Sequence, residues 1–312
     1  MKIYLIDGNA YFYRSFHAIR VLANSKGIPT NAVFGFVGLL FKLIFELKAK
    51  AVVAVFDSKE PTDRHSYYPQ YKANRPPMPE ELIIQVSIIK DFLKALSVKI
   101  LQIAGVEADD IIGTIANNFY KEGHEILILS GDKDFFQLVN DRIKIYDSQK
   151  DTILDSKYVI EKYSLEPLKI VDLMALTGDS IDNIPGVKGI GEKRATELIR
   201  DFSDIDNLIN RISEIRNNRI KRLIQENVDN IRLSKRLSQI NCNVSIKISL
   251  DEIMVDRIDW DELKRLITEY ELRSFIKYLP FDDNKLKVSI INDERMLINF
   301  LFDNHINTGV KA

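Results

Sequence analysis

Cysteine is nearly absent from this 312-residue chain: Cys242 stands alone. That excludes a secreted disulfide framework and a zinc site built from cysteine clusters. Histidine is scarce as well. His17, His65, His124 and His305 are dispersed, and none has a His or Cys partner at ligand spacing, which speaks against histidine-held zinc. Net charge is missing: 44 Lys plus Arg against 45 Asp plus Glu leave −1. Long apolar runs are missing too. The longest, 34–47, is broken by Lys42 and Glu46 and falls short of the roughly 20 residues that cross a bilayer. The opening MKIYLIDGN reads as a strand and turn rather than a signal peptide. No repeat or low-complexity linker interrupts the chain. With 46% hydrophobic and 29% charged residues, the balance is globular, and the expectation is a soluble cytoplasmic protein with no membrane partner.

What is present is an alternation. Short aliphatic or β-branched runs at 2–6, 51–56, 98–103, 125–129 and 143–146 read as strands buried on both faces. Helical patterns lie between them at 31–48, at 80–96 after Pro79, and at 108–122 running up to Gly123 as C-cap. This predicts an α/β fold with a mainly parallel central sheet over residues 1–154. The long crossover at about 58–80 carries Pro76, Pro77 and Pro79 near its end and reads as a loop or arch with little structure of its own. From 155 to 280 the pattern is helical, with helices expected at 169–176, 191–201, 205–215, 218–237 and 261–278. The tail, 281–312, reads as one strand (287–291) and one helix (294–302), too little to bury a core.

In open parallel sheets, ligands bind beyond the carboxyl ends of the strands. Here those ends are acidic. The first strand closes on Asp7 and the second on Asp57. The third is followed by Glu107, Asp109 and Asp110, and the fourth by Asp132 and Asp134. Asp179 and Asp182 follow in the sequence TGDSIDN. Any one Asp at a strand-to-helix junction is often only an N-cap. Four strand ends all closing in acid would repel unless a cation neutralised them. Hard divalent ions with oxygen ligands, Mg²⁺ or Mn²⁺, suit such a set. Two of them, about 4 Å apart, would stabilise the attacking and leaving oxygens of a phosphoryl displacement. Without a phosphate substrate, the same acids would merely hold a structural ion.

The basic motifs decide between these readings. The stretch YYPQYKANR, with Tyr71, Lys72 and Arg75, sets cations beside aromatics, which suits phosphates and unstacked bases. Arg14 lies one to two helical turns beyond Asp7 and would face the same rim. The second motif, IPGVKGIGEKRA at 184–195, has the pattern of a helix-hairpin-helix turn. Gly186, Gly189 and Gly191 let the backbone approach a phosphate, and Lys188, Lys193 and Arg194 surround it. Farther on, Arg211, Arg216, Arg219, Lys221, Arg222, Arg232, Lys235 and Arg236 form either a solvated face or an extension of a duplex track.

Residues 2–279 resemble the 5′-nuclease domain found at the amino terminus of bacterial DNA polymerase I and its flap-endonuclease relatives. The motifs that carry the resemblance are LIDG, AVFGF, VFD, YKANR, EADD, DKD, ALTGD and IPGVKGIG, in that order. Each is short, and their joint order is specific. The resemblance implies a PIN-like fold with a helical DNA-binding subdomain at 155–280 and a helix-hairpin-helix at about 184–200. It implies that Asp7, Asp57, Glu107 and Asp109 form a tighter metal site. Asp132, Asp134, Asp179 and Asp182 form the second, with Asp109 between the two and Asp110 in their outer shell. Lys72 and Arg75 would sit at the base of an arch over the scissile phosphate. A K⁺ ion at the hairpin is a further implication. The activity implied is a 5′→3′ exonuclease and 5′-flap endonuclease acting on DNA and on RNA primers paired to DNA, in replication and repair, as a monomer in the bacterial nucleoid. Polymerase I continues into proofreading-type and polymerase domains. Residues 288–312 resemble the opening of the next domain, so this chain reads as a stand-alone or split nuclease, or as a fragment. A non-catalytic binder of junction DNA, or an RNase of the PIN type, are the competing readings.

Overall fold

The structure is a computed structural model and describes residues 1–280. The expected tail strand and helix, and the resemblance of 288–312, lie outside them.

Strand β1 (Lys2–Asp7) shows how the sheet is built. Its side chains alternate: Ile3 and Leu5 enter one hydrophobic core, Tyr4 and Ile6 the other. Burial on both faces is why its sequence is continuously apolar rather than alternating. Helix α1 (Gly8–Ala18) follows at once, then α2 (Asn31–Phe41), β2 (Ala51–Val55), α3 (Asp63–Tyr67), α4 (Glu80–Ala95), β3 (Lys99–Leu101), α5 (Ala108–Lys121), β4 (Glu125–Leu129), β5 (Ile143–Asp147) and β6 (Thr152–Leu154). The strand order is β3-β2-β1-β4-β5-β6, parallel except for β5 with β6. From central β1 the chain moves outward to β2 and β3, then returns past β1 to β4. The order therefore reverses at β1, and the crevice of a parallel sheet lies at such a point.

One face of the sheet packs on α5 and on the helices that follow: α6 (Ser156–Tyr163), α7 (Ile170–Thr177), α8 (Glu192–Phe202), α9 (Ile205–Asn210), α10 (Asn218–Glu226) and α11 (Val228–Ser238). The other face packs on α1, α2, α4 and α12 (Trp260–Glu269), with Leu263, Leu266 and Ile267 of α12 beside Phe36, Leu40 and Phe92. Residues 155–280 are thus shared between the two faces.

Several helices are shorter than their periodicity predicts. The 31–48 helix widens into a π-turn at Lys42–Glu46, and Lys48 has φ 55°. The 218–237 helix is two helices, broken at Asn227, whose side-chain amide donates to the Leu223 carbonyl. The 205–215 helix stops at Asn210 and gives way to a 3₁₀ turn, Ile212–Glu214. The 261–278 helix ends at Glu269, and Glu271, at φ 55°, starts a 3₁₀ turn, Arg273–Tyr278. The strand expected at 98–103 pairs only over Lys99–Leu101 because it is an edge strand. The 58–80 crossover holds the short helix α3, capped by Thr62.

Candidate active site

The carboxyl ends of β1, β2 and β4 meet through their side chains. The Asp7 carboxylate caps α1, accepting the Ala10 N–H at 3.0 Å, and accepts the Ser130 hydroxyl from the end of β4 at 2.8 Å. Asp57 accepts the Ala108 N–H at 2.8 Å, joining β2 to the start of α5, while its own N–H donates to Asn9 in α1. Asp132 accepts the Asp134 N–H and begins the 3₁₀ turn Lys133–Leu138. The capping role is therefore real for Asp7, Asp57 and Asp132. It leaves other oxygen lone pairs on each carboxylate uncommitted.

Burial and mutual repulsion act on this group together. Burial pushes the Asp7 carboxyl up to about 7, with Asp57 and Asp132 adding to the shift and the bonds from Ala10 and Ser130 opposing it. Asp109 is held well above the ordinary carboxylate range by burial and by Asp7 and Asp132. Asp134 is raised by burial and by Asp132, and its Oδ1 is buried with no hydrogen-bond partner.

The remaining acids carry the protein's own cations. Glu107, 4% exposed, meets Lys72 Nζ at 3.0 Å and Arg64 Nη1 at 3.4 Å, and accepts the Tyr71 and Thr62 hydroxyls. Burial works against its ionisation, but Lys72 and Arg64 outweigh it and hold the carboxyl below its usual range. Asp179 meets Lys133 Nζ at 2.8 Å and is likewise lowered, against burial. Arg75 Nε donates to Asp182 at 3.1 Å. Asp110 is engaged on both oxygens by the Arg64 guanidinium, at 2.7 and 2.9 Å, and also accepts the Asn241 N–H. Its two oxygens are thus spent on the fold's own donors.

Among the described residues, no three His, Cys, Asp or Glu side chains are gathered, as they stand, into a set that could hold a metal ion. The donor chemistry nonetheless fits a hard cation. The set is all oxygen, one buried oxygen lacks a donor, and three acids are driven towards neutrality by desolvation and by neighbouring acids.

The basic segment folds over this rim and is fastened to the helical part. The Lys72 N–H donates to the Asp182 carbonyl, and the Asn183 amide to the Gln70 carbonyl. Tyr71, expected to touch DNA, is instead 4% exposed and packs with Ile184 and Leu237. Its hydroxyl is used on Glu107, so the ring is unavailable for stacking on a base. Arg14 lies 3.6 Å from Asp147 and close to Gly131, on the β4–β5 side of the rim.

Arg64 was not singled out by the sequence pattern. Its guanidinium reaches Asp110 and Glu107 on one side, and the Leu237 and Gln239 carbonyls at the end of α11 on the other. It sits in a segment without hydrophobic periodicity, where only its proximity to the YKANR motif pointed to it.

The hairpin turn joins α7 to α8. Its glycines divide into two kinds. A Cβ on Gly186 would lie 2.4 Å from the Gly178 nitrogen, so this glycine allows two backbones to interleave and does not front a phosphate. Gly191 faces open space, Gly189, at φ 96°, has only Leu223 near it, and Lys188, Lys193 and Arg194 beside them are exposed. Part of the downstream basic run is spent internally. Lys235 pairs with Asp172 and Asp206, Arg211 with Glu214, and Arg236 stacks on Tyr67.

A parallel sheet with an acidic rim, a basic segment folded over it and a glycine-rich helical hairpin at its side define the chain as an α/β nuclease. More narrowly, it belongs to the 5′-3′ exonuclease family: residues 2–164 match the 5′-3′ exonuclease N-terminal resolvase-like domain, and residues 165–261 match the C-terminal SAM fold. A 5′-3′ exonuclease of Aquifex aeolicus is 34% identical over 88% of this chain and 94% of its own length. DNA polymerase I of Bacillus caldotenax is 38% identical over 88% of this chain. The chain spans only about a third (32%) of that relative. Among solved structures, T5 5′-exonuclease with bound zinc superposes with a TM-score of 0.66 at 22% identity, covering 87% of this chain and 99% of that one. The catalytic core of Rad2 in complex with DNA substrate superposes with a TM-score of 0.59 at 18% identity, covering 86% and 87%. These likenesses establish the fold, and the family makes the protein an enzyme, a 5′→3′ nuclease.

Proposed function

We propose that the chain hydrolyses phosphodiesters at the 5′ ends and 5′ flaps of DNA, including RNA primers paired to DNA, with two Mg²⁺ or Mn²⁺ ions. The observation that carries this is the set of buried and half-buried, mutually repelling carboxylates at the reversal point of the sheet, with Lys72 and Arg75 folded over it. Asp7, Asp57, Asp109, Asp132 and Asp134 would hold the ions, with Glu107, Asp179 and Asp182 joining as their cations turn to substrate. Divalent ions there would supply the Lewis acidity that a phosphodiester demands. The chain's own residues do the rest. Lys72 and Arg75 hold the phosphate under attack and offset its growing charge. Gly189, Gly191, Lys188, Lys193 and Arg194 hold the duplex backbone, with K⁺ as a candidate ion in the hairpin, and Arg14 adds a cation at the rim. T5 exonuclease with metal ions and DNA, and Rad2 with DNA, offer support by likeness. We assign the chain to the bacterial cytoplasm and nucleoid as a monomer that works beside a polymerase domain or a separate polymerase.

The test is cleavage of a 5′-flapped duplex, a blunt duplex and single-stranded RNA, each with Mg²⁺ or excess chelator. Cut flaps with Mg²⁺ and intact ones with chelator are expected. Cleavage of the RNA alone would replace the reading with a ribonuclease, and binding of DNA without cleavage would replace it with a junction binder.

A further inference from the structure

A cleft of about 520 Å³ opens next to Asp57, between the end of β2, α1 and the first half of α4. That is within the range of small-ligand clefts, roughly 300–1,000 Å³. Its lining is mainly apolar: Phe56 with Met78, Ile83 and Val86. Ile83 is 54% exposed and the neighbouring Ile84 51%, although Leu82 and Gln85 are buried. Exposure of an Ile alone means little. Here it forms the wall of a cleft whose rim carries Lys59 and Lys90.

The two lysines differ from those over the acidic rim. Among the described residues neither makes an ion pair: Lys90 donates to the neutral Gln102 side chain and lies 5.0 Å over the Phe56 ring, while neighbouring Lys94 has Asp91. Burial, with Lys94 and Lys59 nearby, holds the Lys90 ammonium below its ordinary range. An anion between Lys59 and Lys90 would offset that penalty. An apolar wall with two unpaired cations at its mouth suits a ligand with a flat apolar face and a phosphate. The cleft is continuous with Asp57 and so with the site of cleavage.

We propose that this cleft seats an unpaired nucleotide of the DNA beside the rim, its base against Met78, Ile83 and Val86 and its phosphate between Lys59 and Lys90. The proposal rests on the reading of the chain as a DNA 5′ nuclease and adds where the single strand is held.

The test uses the full chain and two DNAs, a duplex with a 5′ thymidine flap and the same duplex blunt, with Ca²⁺ in place of Mg²⁺ for binding. Ile83→Ser and Lys90→Ala each weaken flap binding about tenfold, the loss expected for one buried apolar side chain or one phosphate contact. Neither changes the affinity for the blunt duplex. An abasic first flap nucleotide weakens wild-type binding but weakens Ile83→Ser no further. A 4-thiothymidine at that position crosslinks to residues 78–90. Equal losses on both DNAs, no loss on either, or crosslinks confined to other segments would overturn the cleft as a nucleotide site. If the wild type cleaves the flap with Mg²⁺, that failure falls on the cleft alone. If the wild type cleaves no DNA at all, the nuclease reading and the cleft fall together.

Discussion

Asp7, Asp109 and Asp134 have the same chemistry as Glu107 and Asp179 on the same rim, and opposite surroundings. Asp7 is buried, Asp109 and Asp134 are half-buried, and desolvation and neighbouring acids push all three towards the neutral form. The other two carry Lys72 and Lys133 and are held ionised despite burial. The difference is a division of labour. Where acids outweigh the cations near them, as Asp7 and Asp132 outweigh Lys72 at Asp109, the fold carries a penalty that added positive charge relieves. Where it supplies cations, as Lys72 at Glu107, the acid stays ionised; on the function proposed above, substrate would draw Lys72 and Arg75 away from Glu107 and Asp182.

The sharpest way to break this comparison is to remove one member of the uncompensated group. Asp109→Asn should lose several orders of magnitude in cleavage rate, and chelation of the wild type should abolish cleavage while some DNA binding survives. The fold should not suffer, because Asp109 is already disfavoured as an anion, so the melting temperature should hold or rise. A variant that cleaves within about tenfold of wild type would reduce Asp109 to the first turn of α5, as a helix-end acid.

The paired group is tested by Arg64. Its guanidinium is buried with Asp110, and Arg64→Met leaves that carboxylate without its cation, only the Asn241 N–H remaining, at a cost of about 3–5 kcal/mol. Adding Asp110→Leu should recover most of the loss, since the unpaired charge goes with it. Denaturant unfolding of both singles and the double measures this. If the double variant is no more stable than Arg64→Met, the pairing is not what holds the segment down.

Lys72 separates storage from catalysis. Lys72→Ala should slow single-turnover cleavage about a hundredfold to a thousandfold, with binding little changed, if the ammonium moves from Glu107 to the phosphate. A loss confined to affinity, restored by saturating enzyme, would mean that the segment only docks DNA.

How far these features were legible depends on whether local pattern or distant contact produced them. Four of the five parallel strands were readable as short, largely buried apolar runs, and the edge strand β3, only half-buried, from its aliphatic residues. Asp7 and Asp57 were readable because each closes such a run, and the other acids because they lie in short acidic motifs farther along. The breaks at Asn227 and Glu271 were not, since one residue in an unusual backbone state interrupts a periodicity that continues beyond it. β6 was missed because Thr152–Leu154 is short and half exposed. Arg64 and the burial of Tyr71 depend on α11 arriving from more than 150 residues away. The motif placed Tyr71 correctly beside the acids, but not the direction it faces. Gly186 had the right residue type for a phosphate turn and a different reason for it, visible only once Gly178 lies against it.

The smallest expected effect concerns the hairpin, where the comparison turns from acids to glycines. Gly186 is packed and Gly189 is open, so a side chain at the two positions should fail differently. At Gly189 there is room, with only Leu223 Cδ1 within reach at 3.6 Å, but φ is 96° and a β-branched residue is strained there. Gly189→Val should fold, and should weaken binding to the duplex part of a flap substrate by about tenfold, because a backbone that meets a phosphate cannot carry a branched side chain. The loss should be uniform across DNA sequences. It should also flatten the salt dependence of binding if Lys188 and Lys193 lose their phosphates with it. Cleavage by saturating enzyme should change little, since the acidic rim is untouched. Binding isotherms at several salt concentrations, with Ca²⁺ replacing Mg²⁺, measure both quantities. Gly186→Val serves as the contrast, and should fail first in folding. If Gly189→Val binds duplex with unchanged affinity and salt slope while folded, the open glycine faces solvent only, and the duplex is held by other cations of the helical part.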